Sequence, residues 1–150
     1  METHTRHISR RLHEEHQATL ALWGRLEASL AAGKPDPALM RSAAASLAEE
    51  IHRHFAFEEA ELFPRLAAAG EGDIAALLAE EHAVIREAAL QFMKAVKEDP
   101  LQMQARALGL ELAERLVSHV QKEEMSMLPA LEDLLDESAD EALAAQYMMT

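Results

Sequence analysis

The chain contains no cysteine. Disulfides, thiolate zinc sites and cysteine-held iron–sulfur clusters therefore lie outside what its 150 residues can build. Aromatic residues are scarce, at 4%, and only five glycines and five prolines punctuate the sequence. β-Branched residues are few, and much of the 49% apolar fraction is Ala and Leu, which favours helices over sheet. No apolar run approaches the ~20 residues of a membrane-spanning helix. The N-terminal METHTRHISRRLHEEH is polar and unlike a signal peptide, so a cytoplasmic location is expected. Basic residues are also outnumbered: 14 Lys and Arg against 27 Asp and Glu leave a formal charge of −13. Nucleic acid and anionic membrane both call for clustered positive charge, so neither is an expected partner.

Histidine is plentiful, with eight in the chain. Any bound metal would be held by imidazole and carboxylate. The breakers AAGKPDP (31–37), AAGEGD (68–73) and KEDP (97–100) divide the sequence into long segments of helical period. Four helices are expected at about 4–31, 37–69, 73–98 and 101–135, with a short tail helix at about 137–148. Short connections between long helices favour an antiparallel up-down-up-down four-helix bundle. The chain reads as one domain over 1–150, with its core at about 4–135 and a tail at 136–150.

Each apolar stripe is interrupted by a polar residue. The stripes are Ile8, Leu12, His16, Leu20, Trp23; Leu47, Ile51, His54, Glu58, Leu62; Leu78, His82, Ile85, Ala89, Phe92; and Leu112, Leu116, His119, Glu123, Met127. The interruptions repeat. HFAFEEAELFPRL (54–66) and HVQKEEMSMLPAL (119–131) share one pattern, and so do EEHQ (14–17) and EEHA (80–83). Residues four apart on a helix differ by about 40° in direction and about 6 Å in height. His54 and Glu58, like His119 and Glu123, therefore project from one side. Glu59 and Glu124 are turned by about 140° from their histidines and are expected on the outer face. Counted from the turns, His16, His54, Glu58, His82, His119 and Glu123 fall at one depth. Such a buried set needs compensating charge, and two divalent cations sharing the two glutamates would supply it. Pro64 and Pro129 are expected to kink or end their helices. Trp23, Phe92, Met93, Met125 and Met127 fit core packing better than a ligand pocket.

At these residues the sequence resembles the hemerythrin-like, or HHE cation-binding, family. The match runs from about His13 to Leu131 and rests on EEH at His16 and His82, HFAFEEAELFP at His54–Pro64 and HVQKEEMSMLP at His119–Pro129. The resemblance implies a four-helix bundle around a non-haem di-iron centre bridged by carboxylate and by an oxo or hydroxo group. Manganese and zinc suit the same ligands. The implied metal ligands are His16, His54, Glu58, His82, His119 and Glu123, with no separate catalytic residue. The implied partner is a small ligand, O₂, NO or H₂O₂, for sensing, scavenging or detoxification, including weak peroxidase-like, catalase-like or NO-related activity. A metal buffer or sensor without turnover, and a plain helical interaction module, are the alternatives. Oxygen-carrying members place a fifth histidine where this chain has Arg86, which puts simple oxygen transport in question. His13 is either a fifth ligand or lies outside the site. His52 is expected on the surface, and His4 and His7 in a frayed N-terminus.

Overall fold

The computed structural model describes residues 4–150 and contains only helices and their connections among them. Helix α1 spans His7–Ala31. Helix α2 covers 37–68 and is composite: Pro37–Glu50, π turns at Ile51–Phe55 and Glu58–Leu62, then Phe63–Ala68. Helix α3 spans Gly72–Glu98. Helix α4 covers 103–134, as Met103–Lys122, a π turn at Glu123–Met127 and Leu128–Leu134. Helix α5 is Glu137–Met148. Helices α1 and α3 each pack on both α2 and α4, giving the expected antiparallel four-helix bundle, and α5 lies along α1.

The turns form where the breakers stand. Gly33 and Gly70 take φ of +70° and +90°, a left-handed conformation that glycine adopts without strain. Each lets the next amide reach back into the helix, Lys34 N to Ser29 O at 3.0 Å and Glu71 N to Leu66 O at 2.8 Å. Asp36 caps α2 by accepting from Ala38 N and Leu39 N, with Pro37 in the first turn.

Two features depart from the expected outline. Residues 4–6 are not helical. Thr5 Oγ1 donates to Glu132 at 2.7 Å and Arg6 N to the same carboxylate at 3.2 Å, so the stretch is tied to α4. Helix α1 then starts at His7, where the buried Asp140 of α5 accepts from His7 N at 2.8 Å and Ile8 N at 2.9 Å. Arg6 itself supplies no side-chain cap, so Asp140, 132 positions beyond Ile8, does that work. Asp140→Ala should lower unfolding stability by about 1–3 kcal/mol in urea titrations. Nor do the helices end at the two prolines. The helices continue through Pro64 and Pro129, each preceded by a π turn. Proline has no N–H to donate and its ring crowds the carbonyl four residues back, and a widened turn relieves both.

The core comes in two parts. Trp23, Leu26, Leu47, Phe55, Phe92 and Leu112 belong to one apolar cluster, and Ile8, Leu12, Leu62, Leu66, Leu131 and Tyr147 to the other. Trp23 packs on Phe92 with ring centroids 5.8 Å apart, as core residues do. Met127 is buried, whereas Met125 is 82% exposed. No helix among the described residues is long and apolar enough to cross a membrane.

Candidate metal centre

The six residues singled out by their spacing meet in a layer assigned to neither apolar cluster. Each is at most 2% exposed. Ligand-type atoms of His16, His54, Glu58 and Glu123 lie within 4.8 Å of one another, and so do those of Glu58, His82, His119 and Glu123. The two groups share Glu58 and Glu123. Glu58 stands 3.0 Å from His54 Nε2 and 3.2 Å from His82 Nε2. Glu123 stands 2.8 Å from His16 Nε2 and 3.2 Å from His119 Nε2. Phe55 stacks flat on the His82 ring, with centroids 3.8 Å apart and planes 1° from parallel, which fixes that imidazole's orientation.

All four imidazoles are held from behind by a carboxylate on another helix. Nδ1 of His16 meets Glu124 at 2.6 Å, that of His54 meets Glu15 at 3.0 Å, that of His82 meets Glu59 at 2.7 Å, and that of His119 meets Glu81 at 2.8 Å. Each of these glutamates has a depressed pKa. Burial works against ionisation, but hydrogen bonds from histidine and a neighbouring donor outweigh it. An ionised carboxylate only accepts, so Nδ1–H is the donor and Nε2 turns inward with its lone pair available whenever the ring is neutral. Each outer glutamate is anchored in turn: Glu59 by both terminal nitrogens of Arg86 at 2.6 and 2.8 Å, Glu81 by Lys122, Glu124 by His13, and Glu15 by Arg11 and Tyr147.

Glu59 and Glu124 join neither buried group; each bonds a histidine of a neighbouring helix from behind, a role the helical spacing did not indicate. Arg86, at the position where a fifth histidine was considered, holds Glu59. His13 joins neither buried group; it pairs with Glu124 at 2.6 Å. His4 is partly buried beside His13, while His7 and His52 are exposed.

Glu15, Glu81 and Tyr147 were missed by the sequence reading. The doubled E-E-H was a usable signal, because its second glutamate recurs in register at 15 and 81. Tyr147 offered none, being the chain's single tyrosine in a weakly patterned tail. Its hydroxyl donates to Glu15, and burial and the Glu15 charge push its ionisation well up. Tyr147→Phe should cost about 1.5–3 kcal/mol of stability, the range for a hydrogen bond to a charged group. It should also weaken metal retention by loosening the support behind His54, and thermal melts with and without chelator will check both.

Without an ion the layer is held together by protons. Burial disfavours a charged His16, yet its bonds to Glu123 and Glu124 prevail and raise its pKa to about 9. His119 is likewise pulled down by burial but lifted to about 9, mainly by Glu123. Burial would raise Glu123, and the charges and hydrogen bonds of His119 and His16 hold it well below the usual carboxylate range. Even so, Glu58 Oε1 and Glu123 Oε2 are buried 3.2 Å from His82 and His119 Nε2 without forming a hydrogen bond. His82 Nε2 and His119 Nε2 face each other at 3.0 Å, which two lone pairs tolerate only with a proton or cation between them. Inward imidazole nitrogens with two unsatisfied carboxylate oxygens fit cations of the borderline type.

A four-helix bundle with a buried layer of histidine and carboxylate defines a class of cation-binding helical proteins. The comparison with known families agrees: the model for the hemerythrin HHE cation binding domain matches residues 7–131, and the chain belongs to that family. No curated protein and no solved structure matches the chain.

Proposed function

We propose that the chain is a non-haem di-iron protein that binds a small oxidant, O₂, NO or H₂O₂. In this reading His16 and His54 hold one ion, His82 and His119 the other, and Glu58 and Glu123 serve both. The observation that carries it is the pair of overlapping four-residue groups sharing those two glutamates. Two dipositive ions would more than offset the two buried carboxylates and satisfy the two oxygens that lack a hydrogen bond. Imidazole with carboxylate suits iron, and also manganese or zinc. When bound, iron supplies the electrons for reducing or reversibly holding the ligand.

The chain's own residues orient the imidazoles, exclude water and restrain protons. Glu15, Glu59, Glu81 and Glu124 fix each Nδ1–H and raise the basicity of each inward Nε2. The two apolar clusters limit bulk water at the layer. A surface cleft of about 270 Å³ lined by Glu15, Thr19, Glu50, Arg53 and His54 lies beside it, a scale that suits small molecules. Four histidines rather than five leave more room for a ligand, which supports sensing or detoxification over carriage.

Metal content per chain, read with visible spectra of the reduced protein before and after air, NO or peroxide, tests this reading. Two irons and a spectrum that responds to one oxidant are expected. A filled layer that responds to none would leave a metal buffer or sensor. A chain without metal that is indifferent to chelators would leave only a helical module.

A further inference from the structure

We propose that His4, His13 and Glu124 form a second, solvent-accessible site for one divalent transition-metal cation, outside the buried layer. Ligand-type atoms of the three lie within 4.8 Å of one another. His13 Nδ1 is 2.6 Å and His4 Nε2 3.8 Å from the same oxygen, Glu124 Oε1, and the two imidazole rings sit 4.6 Å apart, tilted by 37°. Donors that bond one ion at about 2.0–2.2 Å stand roughly 3–4 Å apart, so a small shift that parts His13 from Glu124 and keeps His4 near its present distance suffices.

The placement of His4 is built. Thr5 and Arg6 are tied to Glu132, and Arg10 donates to the backbone oxygens of His4 and Thr5 at 3.4 and 3.2 Å. These ties fold the residues ahead of α1 back over its first turns and bring His4 to His13. His4 Nδ1 is buried there and makes no hydrogen bond. The side chains remain reachable, with relative exposures of 14% for His4, 34% for His13 and 21% for Glu124.

Two imidazoles and one carboxylate favour zinc, cobalt, nickel or ferrous iron over calcium or magnesium, which prefer all-oxygen cages. Three protein ligands leave positions for water, so exchange at this site should be fast relative to the buried layer. The other oxygen of Glu124 accepts from His16 Nδ1 at 2.6 Å, so a single carboxylate would link an outer ion to a buried histidine. His4 precedes the residues that the family model matches. None of the three belongs to the six residues of the layer, so this site stands whether or not that layer binds iron.

The test is a zinc titration of the full chain, in whatever metal state it purifies, followed by calorimetry and by NMR of the histidine rings. One further equivalent should bind, shifting the His4 and His13 resonances. The double variant His4→Ala/His13→Ala should lose that equivalent, while His52→Ala, a change at an exposed histidine elsewhere, should keep it. Circular dichroism checks that each variant retains its helices. Zinc binding that leaves the His4 and His13 resonances unmoved, or an undiminished equivalent in the double variant, overturns the site.

Discussion

Glu58→Ala should purify with its metal almost gone, a loss beyond the roughly 10–100-fold drop in affinity that removing an outer hydrogen-bond partner costs. The reason is geometric. Glu58 stands between His54 and His82, belongs to both four-residue groups, and has no equivalent that could move in from the apolar clusters. Removing it takes a negative charge from both halves at once. Glu59→Ala is the matched control one residue away. Glu59 touches only the back of His82 and the Arg86 guanidinium, so this variant should bind the full number of ions at saturation, about 10–100-fold more weakly. Metal analysis after dialysis, with competition against a chelator for affinities, separates the two. Equal depletion in both variants would refute the division between inner and outer carboxylates.

The second large effect is an opposite response to pH in the metal-free and metal-loaded protein. In the metal-free chain the folded-state pKa of His16 and His119 lies near 9, above the ordinary 6.5. Their stabilisation is therefore complete below pH 6.5 and is lost as pH rises through about 9. Taken alone, each histidine accounts for on the order of 3 kcal/mol, and the pair for less than twice that because both lean on Glu123. At the acid end, Glu15 is depressed to about 2 and Glu123 well below the usual range, so their contribution is present above pH 4.5 and fades as pH falls. Metal reverses the alkaline limb, since it binds neutral imidazole and displaces the proton. Across pH 6.5–9 the metal-free midpoint in urea should fall while metal affinity rises. A metal-free protein whose stability is flat over that window would contradict the protonated layer.

How much of this could be read from the sequence depends on whether the signal was periodic. Helix limits followed from Gly33, Gly70 and the Pro and Asp residues near them, whose turn chemistry is local. The layer followed from the 3.6-residue period, because His54 and Glu58 interrupt one stripe just as His119 and Glu123 interrupt another. The π turns were hidden. A widened turn adds a residue to the cycle without changing composition, so the spacing gave no sign of it. The crossed supports, Glu15 to His54 and Glu81 to His119, join different helices, and spacing within one helix says nothing of them. The Asp140 cap on α1 and the Tyr147 bond to Glu15 come from a tail with little amphipathic pattern, and only the folded arrangement shows them.

The central claim is that one ion sits at each histidine pair and that both ions share Glu58 and Glu123. Anomalous diffraction at the iron edge, on crystals of the protein as isolated, tests it most directly. The account predicts two peaks roughly 3.5–4 Å apart, the usual separation in two-metal sites, one beside His16 and His54 and the other beside His82 and His119. A layer with no peak, or a single peak confined to one histidine pair, would contradict it.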